Sequence, residues 1–216
     1  MTDGCPQALR DFDHVRQVVA DTCFATVPTS PVPGRVGLEI ESFPVRVLAD
    51  GTPTERVPLD LMVELLDQET EQETGRSSAL GFRREEAPAP LYRLAGGGSL
   101  NFEPGGQLEH STGIHAGAAA ALAETDLVAA ALAVVLRRHG IVLAAAGTDV
   151  WLPGGHVPQQ LQAPRYRAMA AYFARRGPYG AAMMRRSCGI QVNLDLGPPG
   201  ELAERWLLAN LVAPLA

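Results

Sequence analysis

Three short stretches of this 216-residue chain place acidic or amide side chains two residues apart within apolar, β-prone sequence. They are Glu39 and Glu41 in Val36-Gly-Leu-Glu-Ile-Glu, Gln107 and Glu109 in Glu103-Pro-Gly-Gly-Gln-Leu-Glu, and Gln191, Asn193 and Asp195 in Ile190-Gln-Val-Asn-Leu-Asp. In a strand, residues i and i+2 point to the same face, so each stretch puts its polar groups on one side and its aliphatics on the other. Three such strands in one sheet would form a floor of carboxylates and amides backed by an apolar layer. Oxygen-rich floors suit Mg²⁺ and the phosphates it carries, because hard cations take oxygen ligands.

The most specific string is Glu103-Pro-Gly-Gly-Gln-Leu-Glu-His-Ser-Thr. Pro104 fixes φ, while Gly105 and Gly106 permit a tight turn and close approach of a ligand to the backbone. Glu103 and Glu109 can then converge on one metal or phosphate centre. A Pro-Gly turn with two solvated acids accounts for the same letters, and Glu39/Glu41 alone could be the wet face of an edge strand. The remaining candidates have plainer readings. His110 and His115 lack zinc-type partners, and Cys188 beside Arg185 and Arg186 reads as a buried strand cysteine.

Periodicity supplies the elements that must position these groups. An amphipathic helix is expected over 9–23, with Leu9, Phe12, Val15, Val18 and Val19 on one face. A strand over 35–48, a turn at Asp50-Gly51 and a helix over 58–70 follow, then a loop over 71–90. Strands are expected at 91–94, 99–102 and 106–111, and a long Ala-rich helix over 114–139 ended by Gly140. A strand over 141–146, a Gly/Pro-rich loop, helices over 165–176 and 179–185, a strand over 187–196 and a last helix complete the chain. Without regular βαβ alternation, this order implies an α+β fold.

Composition narrows the function classes. The net charge of −6 argues against nucleic-acid binding, which needs a basic face. All 18 basic residues are Arg, so no Walker lysine or Schiff base is available. Three scattered cysteines make a disulfide scaffold or structural zinc site a poor fit and favour a reducing, cytoplasmic setting. The tract from Ala116 to Val135 is interrupted by Glu124 and Asp126 and is expected to fall short of a membrane span.

Gly37-Leu-Glu-Ile-Glu and Glu103-Pro-Gly-Gly-Gln-Leu-Glu resemble the glutamate–cysteine ligase family of plant and actinobacterial type. The region from Pro164-Arg-Tyr through Met183-Met184 to Gln191-Val-Asn-Leu-Asp is similar to the same family. One branch of that family makes γ-glutamylcysteine for ergothioneine biosynthesis. The resemblance implies a partial glutamine-synthetase-like catalytic fold, an antiparallel sheet forming one side of a funnel with helices on its outer face. It implies ATP and Mg²⁺ as cofactors and glutamate, cysteine and ATP as substrates. Glu39, Glu41, Glu103 and Glu109 match metal positions, Gln107, Gln191 and Asn193 match positions facing nucleotide and metal, and Glu103 and Arg165 match catalytic or substrate-carboxylate positions. The sequence departs from the family at His110, in the loop from Thr148 to His156, and at Asn193, which follows the plant-type pattern. Family members continue beyond the position of Ala216, so residues 1–216 are expected to be the N-terminal part of a single catalytic domain. Such a part is expected to be poorly stable or aggregation-prone alone and to show negligible ligase turnover. A non-catalytic relic or binding module, or a ligase for another amine, are the alternatives.

Overall fold

The computed structural model describes residues 11–21, 34–72, 81, 83–150 and 157–215. Its contacts divide the chain into two units, Arg35–Asn193 and the combination of Met1–Gly34 with Leu194–Ala216.

The larger unit is built on one long strand. β1 (Val36–Val47) spans 12 residues and pairs with four others. Its first half pairs antiparallel with β6 (Leu108–Ser111), and its second half pairs with β2 (Pro53–Arg56) and β7 (Ile141–Ala144). From β6 the sheet continues through β5 (Ser99–Phe102) and β4 (Tyr92–Arg93) to β3 (Arg83–Arg84). β8 (Ile190–Leu194) also pairs with β1. All the registered pairs are antiparallel, and with the helices they give the expected α+β class.

Alternation decides what each face carries. Leu38, Leu100, Phe102 and Leu108 are buried on the apolar side. α2 (Leu59–Gln72) adds Met62, Leu65 and Leu66 to the core. α3 (Ala118–Arg137) contributes Val128, Leu132 and Leu136 to the same core, and Ala121 to a smaller cluster with Val36 and Leu38. By length and composition α3 is apolar enough to cross a membrane, contrary to the expectation for this tract. Its stripe of four buried side chains matches that of a helix lying on a sheet. Gly140, at φ +66°, follows the end of this helix as the sequence suggests.

α4 (Pro164–Ala174) and α5 (Tyr179–Arg186) form a compact pair. Pro164 opens α4, where a missing N–H is harmless. In the smaller unit, α1 (Phe12–Val19) is capped by Asp11. Its apolar face is not buried as periodicity suggested, and Phe12 is 71% exposed. α6 (Leu202–Val212) likewise has no buried residue, and Arg205 at its start holds Asp195. Two strands escaped the sequence reading. β2 is polar, Pro-Thr-Glu-Arg, and β3 has only two residues, too short for any period to show.

Candidate metal centre

The β1–β6 register sets Glu41 opposite Glu109 and Glu39 opposite Ser111, and the β5–β6 register sets Asn101 opposite Glu109. Paired residues share a face, so these groups stand together on the side away from the core. Glu103 follows the last residue of β5 and turns into the same cluster. Carboxylate oxygens of Glu41, Glu103 and Glu109 all lie within 4.8 Å of one another.

The turn that presents Glu103 is held from inside the protein. The Glu103 N–H donates to the Gln107 carbonyl at 2.9 Å, and Gly106 N–H donates to the Glu103 carbonyl at 2.8 Å. Gln107 is fully buried; its side-chain Oε1 accepts from Gly105 N–H, and its side-chain Nε2 donates to the Ser187 carbonyl at 2.8 Å. The Gly105 carbonyl accepts from Arg56 and Gln160, each at 2.8 Å. A Cβ on Gly105 would stand 2.3 Å from the Arg185 carbonyl oxygen. The close approach that the glycine pair suggested is therefore made by the backbone of α5.

Arg56 is itself buried. It pairs with Asp149 at 2.9 Å, with its guanidinium 4.3 Å above the Phe43 ring. Sequence alone gave no hint of either partner, since Asp149 lies 93 residues away in a Gly-rich loop. Part of that loop, 151–156, is outside the described residues.

Electrostatics mark the cluster as strained in charge. Burial, reinforced by Glu109 and Glu41, pushes the Glu103 carboxyl up to about 7, against a smaller lowering by Arg165. Glu41 is also raised, first by burial and then by Glu109 and Glu39, although Gly189 N–H donates to its carboxylate at 2.9 Å. Ser111 donates to Glu109 at 3.1 Å.

The other expected site residues take different places. Glu39 shares the acidic face, and its carboxylate accepts from the Asn193 amide at 2.8 Å. Gln191, two residues before Asn193, is exposed on the same strand. Gln107 braces the turn. Arg165 stacks on Tyr166, its guanidinium carbon 4.4 Å from the ring centroid, and donates to the Tyr166 hydroxyl. Burial raises the Tyr166 hydroxyl, with Glu103 adding to the effect. Residues that sequence reasoning missed are Asn101, Ser111, Arg56, Asp149 and Tyr166. Asn101 and Ser111 were legible in principle, because both alternate with the apolar residues of their strands.

His110 points to the opposite face of β6. It is buried, 3.5 Å from Glu124 on α3, and His115 contacts the same carboxylate. Burial lowers the His110 pKa. Cys188 precedes β8, and burial pushes its thiol up to about 12, which removes any nucleophilic thiolate near neutrality.

The fit to a metal can be judged from the donors. Mg²⁺ takes oxygen ligands at 2.0–2.1 Å, so two oxygens on one ion stand at most about 4.2 Å apart. Neighbouring ligands of an octahedral ion stand only about 2.9 Å apart, so three carboxylates within 4.8 Å of one another would have to draw together to share one ion, and their all-oxygen chemistry suits Mg²⁺.

Residues 35–216 match the model of the glutamate-cysteine ligase family 2. The chain is 31% identical over 213 residues to the glutamate–cysteine ligase EgtA of Mycolicibacterium smegmatis, covering 98% of this chain and 43% of that protein. It is 31% identical over 208 residues to the EgtA of Mycobacterium tuberculosis, covering 95% and 41%. The chain therefore spans less than half the length of these relatives. The family model matches most of the chain's length, so the chain belongs to the glutamate–cysteine ligase family 2.

Proposed function

We propose that this chain carries the metal- and nucleotide-binding floor of an ATP-dependent ligase that joins the γ-carboxylate of glutamate to the amine of cysteine. The product would be γ-glutamylcysteine, formed through an acyl phosphate and serving ergothioneine biosynthesis. The observation that carries this reading is the convergence of Glu41, Glu103 and Glu109 from three separate sequence positions.

Glu41, Glu103 and Glu109 would hold Mg²⁺, with Glu39 beside them. When bound, the ion supplies electrostatic stabilisation of phosphate charge during phosphoryl transfer. The chain's own contribution is positioning. The buried Arg56–Asp149 pair and Gln107 fix the Glu103 turn, so its carboxylate is held in place before any ligand arrives. A carboxyl raised to about 7 is half protonated near neutrality, and occupancy by a cation requires that proton to leave. Gln191 and Asn193 would face the nucleotide from β8, and Arg165 would meet a substrate carboxylate.

Calorimetric titration with Mg·ATP tests the site. Glu103→Gln should weaken binding at least tenfold while the circular dichroism of the fold is retained. Equal affinity in the two proteins would overturn the assignment. Phosphate release coupled to γ-glutamylcysteine formation, with ATP, Mg²⁺, glutamate and cysteine supplied, tests the reaction itself.

A further inference from the structure

The arginines are spread unevenly along the chain. From Val150 to Leu194 the sequence holds six of them and no aspartate or glutamate, in a chain of net charge −6. Within this stretch Arg167, Arg175 and Arg176 are exposed on α4 and at its C-terminal end. We propose that the outer face of α4 and α5 docks a short acidic peptide segment of a partner protein, with carboxylates interspersed among aliphatic or aromatic side chains. This interaction goes beyond the ligase reading and does not depend on it.

Three observations carry it. The first is unbalanced charge. Among the described residues, Arg167, Arg175 and Arg176 form no ion pair with a carboxylate, whereas Arg83, Arg84 and Arg93 on β3 and β4 all do. Guanidinium forks match carboxylates through paired hydrogen bonds, so the face is complementary to acidic groups.

The second is what lies between the arginines. Met169, Tyr172, Tyr179 and Met183 are 39%, 43%, 84% and 49% exposed. Arginine, tyrosine and methionine without acids is the composition of protein-interface centres, and Tyr and Arg are the side chains that most often carry their binding energy.

The third is rigidity. The Arg176 guanidinium carbon lies 4.5 Å from the Tyr172 ring centroid, and Tyr172 meets the Phe173 ring edge-on. Gly180 brings α5 against the same phenylalanine, since a Cβ there would stand 2.2 Å from its ring. Anchors already held in place lose less freedom when a partner binds.

Dimensions favour a peptide over a longer polyanion. Arg167 and Arg175 are eight residues apart, about 12 Å along a helix. About four residues of an extended peptide cover that span. A nucleic-acid strand would run past the face onto a chain whose remaining charge is acidic.

The test is fluorescence anisotropy of the 216-residue chain with a labelled peptide carrying glutamates four residues apart and leucine and phenylalanine between them. Saturable binding is expected, weakening steeply with added salt. Affinity should fall about tenfold in Arg167→Gln/Arg175→Gln and in Tyr172→Ala. Arg83→Gln/Arg93→Gln, which removes the same charge elsewhere, should leave it unchanged. All these side chains are exposed, so circular dichroism should report the same fold throughout. No saturable binding, undiminished affinity in the α4 variants, or an equal loss in the Arg83/Arg93 variant would overturn the proposal. So would tighter binding of oligouridylate or of phosphatidylserine vesicles than of the peptide. Sedimentation as a dimer that Arg167→Gln/Arg175→Gln abolishes would also overturn it, because the face would then belong to a second copy of the chain.

Discussion

Glu41 and Glu109 face each other directly across the β1–β6 ladder. Like charges so placed are destabilising by about 0.2–1 kcal/mol, and here Glu103 closes in on the same point. Such a cluster weakens the fold unless a cation offsets it. Glu109→Gln should therefore stabilise the metal-free chain, raising its melting temperature by up to about 4 °C. The same variant should bind Mn²⁺ more weakly, measured by electron paramagnetic resonance of the free ion. A lower melting temperature without metal would refute the repulsion argument.

The raised Glu103 carboxyl sets a pH dependence whose sign is fixed. Its folded-state value of about 7 lies above the ordinary 4.5, so between these values the folded chain binds more protons than the unfolded one. Metal-free stability should fall as pH rises through this window, while Mn²⁺ affinity should rise because less proton must be displaced. Urea unfolding and Mn²⁺ titration from pH 4.5 to 7.5 would show the opposed trends, and Glu103→Gln should reduce both.

The Arg56–Asp149 pair should be costly to break. Both side chains are almost completely buried, so Asp149→Ala leaves an unpaired guanidinium in the interior and should destabilise by about 3–5 kcal/mol in urea unfolding. Replacing both by leucine should recover much of that loss. It should still weaken Mn²⁺ binding, because the Gly105 carbonyl loses its Arg56 donor and the Glu103 turn loosens.

Gly105→Ala should disturb the site without touching a carboxylate. The added methyl group would meet the Arg185 carbonyl at 2.3 Å, a backbone atom that cannot swing aside. Destabilisation of about 1–3 kcal/mol is expected, with a larger fractional loss of Mn²⁺ affinity than any other change in the turn. Unaltered unfolding would show that α5 moves freely relative to the turn.

Much of this architecture was legible in the sequence, for reasons that differ by element. β1, β5 and β6 were visible because a half-buried strand must alternate, so Glu39, Glu41 and Glu109 were assigned to polar faces by the covalent geometry of the chain alone. The existence and approximate place of α2 and α3 followed from apolar spacing, although α3 spans Ala118–Arg137 rather than 114–139, its start set by Gly117 and its end falling short of Gly140. What alternation does not encode is which strands become neighbours. The register pairing Glu41 with Glu109 and Asn101 with Glu109 depends on packing of the whole sheet, and it alone turns separate acids into one cluster. Tertiary structure also decided the purpose of the glycines and amides in the turn. Gln107 reads in sequence as one more polar group beside the acids, yet burial under α5 makes it a brace for the backbone. Arg56 and Asp149, 93 residues apart, meet only because the folded interior excludes water and forces each buried charge to find the other.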